Sequence, residues 1–210
     1  MSGEEDLSVD AAYALETPED NKRLYASWAT TYDAQFAQAK SYIYPQHVAR
    51  TFLRRGGIGP VLDAGAGTGL VAEAIQATRD VVLDALDLSA EMLAIARDKQ
   101  LYRNLIQADL TQPLDLEPGV YGAVVSCGTF THGHVGPEAF DALIRVAAPG
   151  ALFVLSIKTE LYETHGFKAK LDSLSAEIDA FELEEVHVYG PGADPAHAKD
   201  TGLIASFLRL

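Results

Sequence analysis

The feature that most constrains the fold is a regular alternation, starting near residue 60, of short apolar segments with amphipathic segments. Strands that read as near-continuous apolar runs and alternate with helices are typical of a parallel sheet covered by helices on both faces. The apolar segments are PVLDAG, VVLDALD, NLIQADL, YGAVVSCG, ALFVLSIK, FELEEVHVY and GLIASFLRL. We therefore expect an α/β protein with a three-layer, doubly wound sheet of seven strands.

Helical patterns fill most of the spaces between these strands and also precede them. The predicted helices cover residues 17–29, 45–55, 69–78, 90–99, 137–147 and 167–178. No helical pattern separates the last two strands, and a connection that short favours an antiparallel pair, because a parallel return needs a crossover. We expect a single domain over 1–210, in which an N-terminal helical cap (1–56) precedes the sheet-forming core (57–210).

Composition limits the class of protein. A hydrophobic content of 48% can fill one substantial core in 210 residues. The apolar runs stop short of the ~18 residues of a membrane span, and the acidic start MSGEEDL lacks the basic flank of a signal peptide. A single cysteine, Cys127, fits a reducing compartment. These features predict a cytoplasmic protein with no membrane partner.

The charge distribution disfavours nucleic acid as a partner. The formal net charge is -14, and residues 1–20 carry seven acids and no base. Affinity for nucleic acid comes largely from cations that displace counterions from phosphate. The largest cluster of basic residues here is the pair Arg54 and Arg55.

The most informative motif is VLDAGAGTGL, residues 61–70, in which a strand ends and a helix begins across Gly65, Gly67 and Gly69. Absence of a Cβ allows a sharp turn and close approach to a ligand, and a helix start offers free N–H groups. Such a turn after the first strand is where doubly wound sheets bind nucleotides. The motif therefore predicts a nucleotide-like cofactor.

The spacing of the glycines separates the cofactor classes. The dinucleotide pattern needs a small residue where this chain has Leu70, and its third glycine, Gly69, comes one place early. A P-loop is excluded because no Gly-Lys-Ser/Thr follows. Asp63 completes D-x-G-x-G-x-G, which resembles motif I of the class I S-adenosylmethionine-dependent methyltransferases.

Two further acids end the next two strands. Asp87 lies 22 residues after Gly65, where an acid can accept hydrogen bonds from both ribose hydroxyls of either NAD or adenosylmethionine. Leu88 and Met92 can form apolar walls for an adenine ring. Asp109 resembles the acid that methyltransferases place near the adenine amino group. Taken singly, Asp87 and Asp109 are also compatible with helix caps, and Met92 with the core.

The resemblance to the methyltransferases covers residues 25–158 at least. LYASWATTYDAQF resembles the aromatic-YD segment that covers the cofactor in many small-molecule methyltransferases, and DLSAEMLAIAR, YRNLIQADL and LIRVAAPGALFVLSI match the expected elements in order. The family has a Rossmann-like seven-stranded sheet with the last strand antiparallel. Within it the chain looks similar to bacterial proteins that resemble the Williams-Beuren syndrome region methyltransferases.

This resemblance implies S-adenosylmethionine as the cofactor and S-adenosylhomocysteine as the product. Tyr25, Trp28 and Tyr32 would close over the cofactor, with Tyr42 near the acceptor, although these aromatics also suit a hydrophobic cap on the core. The implied cofactor-binding residues are Tyr25, Trp28, Tyr32, Asp63, Ala64, Gly65, Ala66, Gly67, Asp87, Leu88, Met92, Ala108, Asp109, Leu110 and Ser126.

The segment CGTFTHGHV, residues 127–135, supplies the catalytic candidates His134 and His132. A His-x-His pair can chelate zinc, but no third ligand is spaced to join it, so no metal is expected. Gly-His-aliphatic resembles the segment after strand four of sugar N-methyltransferases, which makes His134 the better candidate for base or acceptor-binding residue. A loop-holding hydrogen bond is its alternative role. His132 is expected at the pocket rim or in solvent, and Cys127 is expected to be buried and inert.

The expected activity is methyl transfer to a nitrogen or oxygen of a small-molecule acceptor by direct in-line displacement. A Rossmann-type NAD(P)-dependent oxidoreductase and a module that binds S-adenosylmethionine without catalysis remain the alternatives. We expect a monomer or a homodimer whose partner is the small-molecule acceptor, with no nucleic acid.

Overall fold

The computed structural model describes residues 32–33, 41–131 and 135–210. The predicted helix over 17–29 and most of the predicted cap therefore lie outside the described residues. In chain order the elements are α1 (Tyr44–Arg54), β1 (Val61–Ala64), α2 (Leu70–Gln76), β2 (Leu83–Asp87), α3 (Ala90–Asp98), β3 (Asn104–Gln107), β4 (Tyr121–Phe130), α4 (Ala139–Val146), β5 (Ala147–Lys158), α5 (Thr159–Thr164), α6 (Phe167–Ser173), β6 (Ile178–His187) and β7 (Thr201–Arg209).

The strands form one seven-stranded sheet in the order β3-β2-β1-β4-β5-β7-β6. β1 to β5 pair in parallel, and β7 runs antiparallel to both of its neighbours, β5 and β6. This arrangement confirms the predicted mixed sheet with an antiparallel last strand. The strand order reverses between β1 and β4, and this switch point is where open α/β sheets bind ligands, beyond the carboxyl ends of the strands.

Helices cover both faces of the sheet because alternate residues of its central strands point to opposite sides. On β5, Phe153 packs in the same apolar cluster as Phe140 of α4 and Phe167 of α6. Its neighbour Val154 faces the other way, into the cluster that contains Phe52 of α1. The two clusters give the three layers expected from the apolar strand pattern.

The region between β5 and β7 departs from the predicted elements. The helix predicted over 167–178 ends at Ser173, and β6 begins at Ile178. The N–H of Glu177 donates to the Leu174 carbonyl in the turn, and Ile178 then pairs with Arg209 of β7. The short helix α5 was not predicted.

Among the described residues, no helix has both the length and the apolar character to cross a bilayer.

Tyr44 connects α1 to strands β5 and β7 of the sheet through hydrogen bonds. Its hydroxyl contacts the carbonyls of Ile157 on β5 and Leu203 on β7 at 3.1 and 3.0 Å. A Cβ at Gly202 would collide with this ring and hydroxyl, so glycine is required where the tyrosine crosses β7. The contact links α1 to β5 and β7, and both strands contribute residues to the wall of the cavity described below.

We predict that Tyr44→Phe lowers the free energy of unfolding by about 1 kcal/mol, because it removes a buried hydroxyl that hydrogen-bonds to strand carbonyls. Urea denaturation followed by circular dichroism measures the change. Tyr162→Phe, at a half-buried tyrosine, is the matched control. Equal losses in the two variants would show that the hydroxyl of Tyr44 does not fasten the helix.

Candidate active site

A cavity opens at the carboxyl edge of the sheet, over the switch point between β1 and β4. Its wall includes the turn after β1, the ends of β2 and β5, and the segments after β3 and β4. Tyr32 and Tyr42, which precede the core, also line it. The cavity therefore spans the positions where both a cofactor and an acceptor are expected.

The glycine turn follows β1 in a conformation that side chains disfavour. Gly65 and Gly67 have φ angles of +74° and +55°, in the left-handed region that glycine adopts without steric cost. At Gly65 a Cβ would also collide with the side chain of Thr129 on β4. The first glycine is therefore fixed both by backbone conformation and by the close approach of β4.

The N–H groups of this turn are bound within the protein. Those of Gly65 and Ala66 donate to the Leu86 carbonyl at 2.8 and 3.0 Å, and that of Gly69 donates to the Ala66 carbonyl at 2.9 Å. The N–H of Gly67 donates to Asp87 at 2.7 Å. The expectation of free N–H groups is wrong for these four residues. They are not available to a pyrophosphate, which is the group that dinucleotide-binding turns hold.

Asp87 presents its carboxylate to the cavity from the end of β2. Oδ2 accepts from the N–H of Gly67, and Oδ1 accepts from the N–H of Ser89 at 2.9 Å. Burial raises the pKa of Asp87, while the backbone N–H groups act in the opposite direction. A carboxylate has about four lone-pair positions, so the two bonds leave acceptor capacity for ligand hydroxyls.

The cap of α3 is Ser89, not Asp87. The Ser89 hydroxyl accepts from the N–H of Met92 at 3.2 Å. This is the geometry of an N-cap serine. The carboxylate of Asp87 is therefore fixed by the backbone on either side of it without serving as the helix cap.

Apolar residues from two segments line the cavity beside Asp87. Leu88 precedes α3 and Met92 lies in its first turn, whereas Ala108 and Leu110 come from the segment after β3. Asp109 lies between the latter two, and its Oδ1 accepts from the N–H and hydroxyl of Thr111 at 2.8 and 2.7 Å. This arrangement is an apolar slot with one carboxylate at its edge, which suits a flat heterocycle with an amino group.

Three of the predicted cofactor residues lie behind the cavity wall. Asp63, Ala64 and Ser126 are fully buried, and none is among the residues that line the cavity. The Ser126 hydroxyl donates to the Ala64 carbonyl at 2.6 Å, which joins β4 to β1. In the structure these residues support the glycine turn from below.

Asp63 is a buried acid with an unusual environment. Its Oδ2 accepts from the hydroxyl of Tyr102 at 2.6 Å, and its Oδ1 is buried with no hydrogen-bond partner in the part of the chain that the structure describes. Burial raises the pKa of Asp63 to about 7, the Tyr102 hydrogen bond lowers it, and the charge of Asp87 raises it. Tyr102 was not anticipated from the sequence.

Of the candidate residues in the N-terminal cap and in the histidine loop after β4, some lie outside the described residues and others line the cavity. Tyr25, Trp28, His132 and His134 lie outside the described residues. Tyr32 lines the cavity, as do the flanking residues of the histidine loop. The flanking residues are Thr131 and Val135.

Asp33, the acid of the YD pair, connects the N-terminal segment to the core. It accepts from the hydroxyl of Thr68 in the glycine turn at 2.6 Å and forms an ion pair with Lys99. Lys99 also pairs with Glu73 of α2 at 2.9 Å. The position of Tyr32 at the cavity is therefore secured by its chain neighbour.

The end of the cavity on the β5 side of β4 is lined by a different set of residues from the end near Asp87. Its residues include Tyr42, Cys127, Lys158, Tyr189 and Thr201. Sequence reasoning placed Tyr42 near the acceptor but did not single out Lys158, Tyr189 or Thr201. The position of Lys158 at the end of an apolar strand was a usable signal, whereas the loop between β6 and β7 carried no recognisable motif.

Cys127 is half-buried and lines the cavity, so it is more accessible than expected. Its sulfur lies 3.5 Å from the hydroxyl of Tyr42. Burial raises the pKa of the Cys127 thiol to about 12, which keeps it protonated at neutral pH, and the thiolate is the nucleophilic form. The raised pKa favours the predicted inert role of the thiol. Over the described ranges, no three histidine, cysteine or acidic residues cluster so as to hold a metal ion.

Comparisons of the sequence with known proteins agree on one family, the methyltransferases. A family model described as a methyltransferase domain matches residues 61–150. Human methyltransferase-like protein 27 is 32% identical over 175 residues, which are 79% of this chain and 70% of that protein.

Two solved structures show the same fold. DhpI in complex with SAH (S-adenosylhomocysteine) has a TM-score of 0.62 and 21% identity, over 90% of this chain and 95% of that one. An S-adenosyl-L-methionine-dependent methyltransferase of Thermotoga maritima has a TM-score of 0.63 and 13% identity, over 89% and 98%.

We predict that Asp87→Ala weakens S-adenosylhomocysteine binding by about 10-fold or more, because hydrogen bonds to a charged group contribute roughly 1.5–3 kcal/mol. Isothermal titration calorimetry measures the affinity. Asp80→Ala, at an exposed acid before β2, is the matched control. Unchanged affinity in Asp87→Ala would remove Asp87 from the cofactor site.

We also predict a specific pH dependence from Asp63. Because its folded pKa is about 7 and its ordinary value is 3.8, the folded state binds more protons between these values, and the free energy of unfolding falls as pH rises through them. One pKa unit corresponds to about 1.4 kcal/mol, so Asp63→Asn should gain stability relative to the native chain by up to about 4 kcal/mol from pH 4 to pH 7. Urea denaturation of both chains across this range measures the difference. Parallel curves would contradict the assignment.

Proposed function

The chain belongs to the class I S-adenosylmethionine-dependent methyltransferases, and we propose that it transfers the methyl group to a nitrogen or oxygen of a small molecule. The observation that carries the proposal is the Asp87 carboxylate, fixed by the N–H groups of Gly67 and Ser89 at one end of a cavity that continues past β4. One continuous cavity can hold cofactor and acceptor side by side.

The residues at the end of the cavity near Asp87 fit the adenosine part of the cofactor. Asp87 retains acceptor capacity for ribose hydroxyls, and the slot between Leu88, Met92 and Leu110 has the apolar walls that an adenine ring needs. Asp109 lies at the edge of this slot, where a carboxylate can accept from an exocyclic amine. The structure of DhpI, which has the same fold, is a complex with SAH, and this supports a cofactor of that kind for the present chain.

The alternative of an NAD(P)-dependent oxidoreductase is disfavoured by the same turn. Leu70 occupies the position of the third small residue, and it begins α2 and lines the cavity. The N–H groups of Gly65, Ala66 and Gly67 are bound to Leu86 and Asp87. A pyrophosphate would have to displace these bonds.

S-adenosylmethionine supplies a methyl group that is already activated by its positively charged sulfonium leaving group. The protein's task is then to hold the acceptor in line, and such positioning contributes on the order of 7–11 kcal/mol. Tyr32 at the cavity, held through the Asp33 bond to Thr68, would exclude water from the reacting atoms. Fixing the ribose on Asp87 would keep the methyl group directed past β4.

Removal of a proton from the acceptor falls to His134 in this proposal. Thr131 and Val135, on either side of the histidine segment, both line the cavity, so the segment begins and ends at the cavity wall. Cys127 is unsuited to this role because its pKa is raised to about 12. His132 is the second candidate.

A small acceptor is favoured by the walls and by the charge. The cavity lining includes Tyr42, Tyr44 and Tyr189, whose aromatic rings suit a compact apolar molecule. A net charge of -14 also works against nucleic acid, whose binding depends on protein cations.

Release of S-adenosylhomocysteine from S-adenosylmethionine in the presence of a fractionated metabolite extract tests the proposal. Acceptor-dependent release by the native chain, absent in Asp87→Ala, is the expected result. Release confined to fractions of protein or nucleic acid would contradict a small-molecule acceptor. Cofactor binding with no release in any fraction would favour a module that binds without catalysis.

We predict that His134→Ala lowers turnover by roughly 100- to 10,000-fold, the usual contribution of a general base, while S-adenosylhomocysteine affinity stays unchanged. Steady-state kinetics and calorimetry give the two quantities. His165→Ala, which alters a histidine outside the cavity lining, is the control. Full activity in His134→Ala would leave it only a structural role in the loop.

A further inference from the structure

We propose that Lys99 is a positioning residue for the cofactor site, which holds Asp33 against the glycine turn and so keeps Tyr32 at the cavity wall. The inference rests on the proposed function, since it concerns how the site for S-adenosylmethionine is completed. It follows from the contacts of Asp33 and Lys99, from the low exposure of their ion pair, and from the place of both residues beside the turn.

Asp33 is bound through both of its carboxylate oxygens. Oδ1 accepts from the hydroxyl of Thr68 at 2.6 Å, and Oδ2 lies 2.5 Å from the ammonium group of Lys99. Thr68 is buried between Gly67 and Gly69 and lines the cavity. One donor therefore belongs to the glycine turn and the other, which is charged, to the end of α3. Charge-assisted hydrogen bonds are shorter and stronger than neutral ones.

The ion pair is more sheltered than those on the surface of the chain. The side chains of Lys99 and Asp33 are 16% and 29% exposed, whereas those of the surface pair Lys168 and Asp172 are 50% and 64% exposed. Water and salt screen a partly buried pair less than an exposed one. Lys99 is also the C-cap of α3, where the helix dipole favours a cation. The ammonium group is thus held at the place where Asp33 arrives.

A second acid gives Lys99 an alternative role. Its ammonium group lies 2.9 Å from Glu73 of α2, whose side chain is 45% exposed. This contact joins α2 to α3, and a lysine that only fastened these two helices would depend on Glu73 and not on Asp33. The contact with Asp33 is the shorter and less exposed of the two, so we assign the positioning role to that pair.

The ion pair acts on the cavity through Tyr32. Tyr32 lines the cavity and packs against the apolar cluster that contains Tyr189, whereas Asp33 and Lys99 are not among the lining residues. The apparent affinity of a site falls with the fraction of molecules in which its binding arrangement is present. Loss of the ion pair therefore weakens cofactor binding without removing any side chain from the cavity wall.

Calorimetric titration of S-adenosylhomocysteine into matched variants tests the proposal. Lys99→Met, which keeps an apolar stem, should weaken binding about 3- to 10-fold. Asp33→Asn retains an oxygen for the Thr68 hydroxyl and should weaken binding by a similar factor. The double variant should lose no more than either single variant, because both changes remove the same ion pair. Lys99→Arg keeps the charge and should restore the affinity.

Salt gives a second readout, which a purely steric role of the lysine would not move. Raising sodium chloride from about 0.05 M to about 0.5 M should weaken S-adenosylhomocysteine binding more in the native chain than in Lys99→Met, because salt screens a charge pair that only the native chain has. Equal salt dependence in the two chains would contradict the proposal.

Glu73→Gln is the control that separates the two roles of the lysine, since it removes only the ion pair with α2. It should bind S-adenosylhomocysteine within about 2-fold of the native chain, as expected for an exposed ion pair. Unchanged affinity in Lys99→Met, an equal loss in Glu73→Gln, or additive losses in the double variant would overturn the proposal. Failure of the native chain to bind S-adenosylhomocysteine would instead refute the proposed function itself, and this proposal with it.

Discussion

The hydrogen bonds between the Asp87 carboxylate and the N–H groups of Gly67 and Ser89 tie together the two parts of the molecule that form the cavity. They join the glycine turn after β1 to the start of α3 after β2. Burial of this carboxylate is costly unless it is hydrogen-bonded, and two backbone donors offset that cost. The same bonds fix the direction in which the remaining lone pairs point, so one arrangement meets the requirement for folding and suits the ribose recognition that we propose.

The rest of the cavity depends on how closely the central strands approach this turn. Thr129 of β4 leaves no space for a Cβ at Gly65, and the buried Asp63 and Ser126 lie beneath the turn. The parallel strands then deliver side chains of opposite sign to opposite ends of one sheet edge. Asp87 and Asp109 stand on one side of β4 and Lys158 on the other. The two ends of the cavity therefore differ in the sign of the charged residues that line them.

Much of the fold was predictable because apolar strands, glycine turns and caps are local signals. The seven strands and the antiparallel last strand follow from patterns within a few residues. The partnership of Tyr102 with Asp63 and the meeting of Tyr42 with Tyr189 join residues far apart in the chain, so no local pattern announces them. Three of the four occupied N–H groups of the turn, those of Gly65, Ala66 and Gly67, were missed for the same reason, since their acceptors Leu86 and Asp87 belong to another strand.

A crystal structure of the chain with bound S-adenosylhomocysteine tests the central claim most directly. The account predicts ribose hydroxyls on the Asp87 carboxylate, adenine between Met92 and Leu110, and the sulfur directed past β4 toward Lys158. A ligand bound at this edge without contact to Asp87, or with its adenine on the Lys158 side of β4, would contradict it.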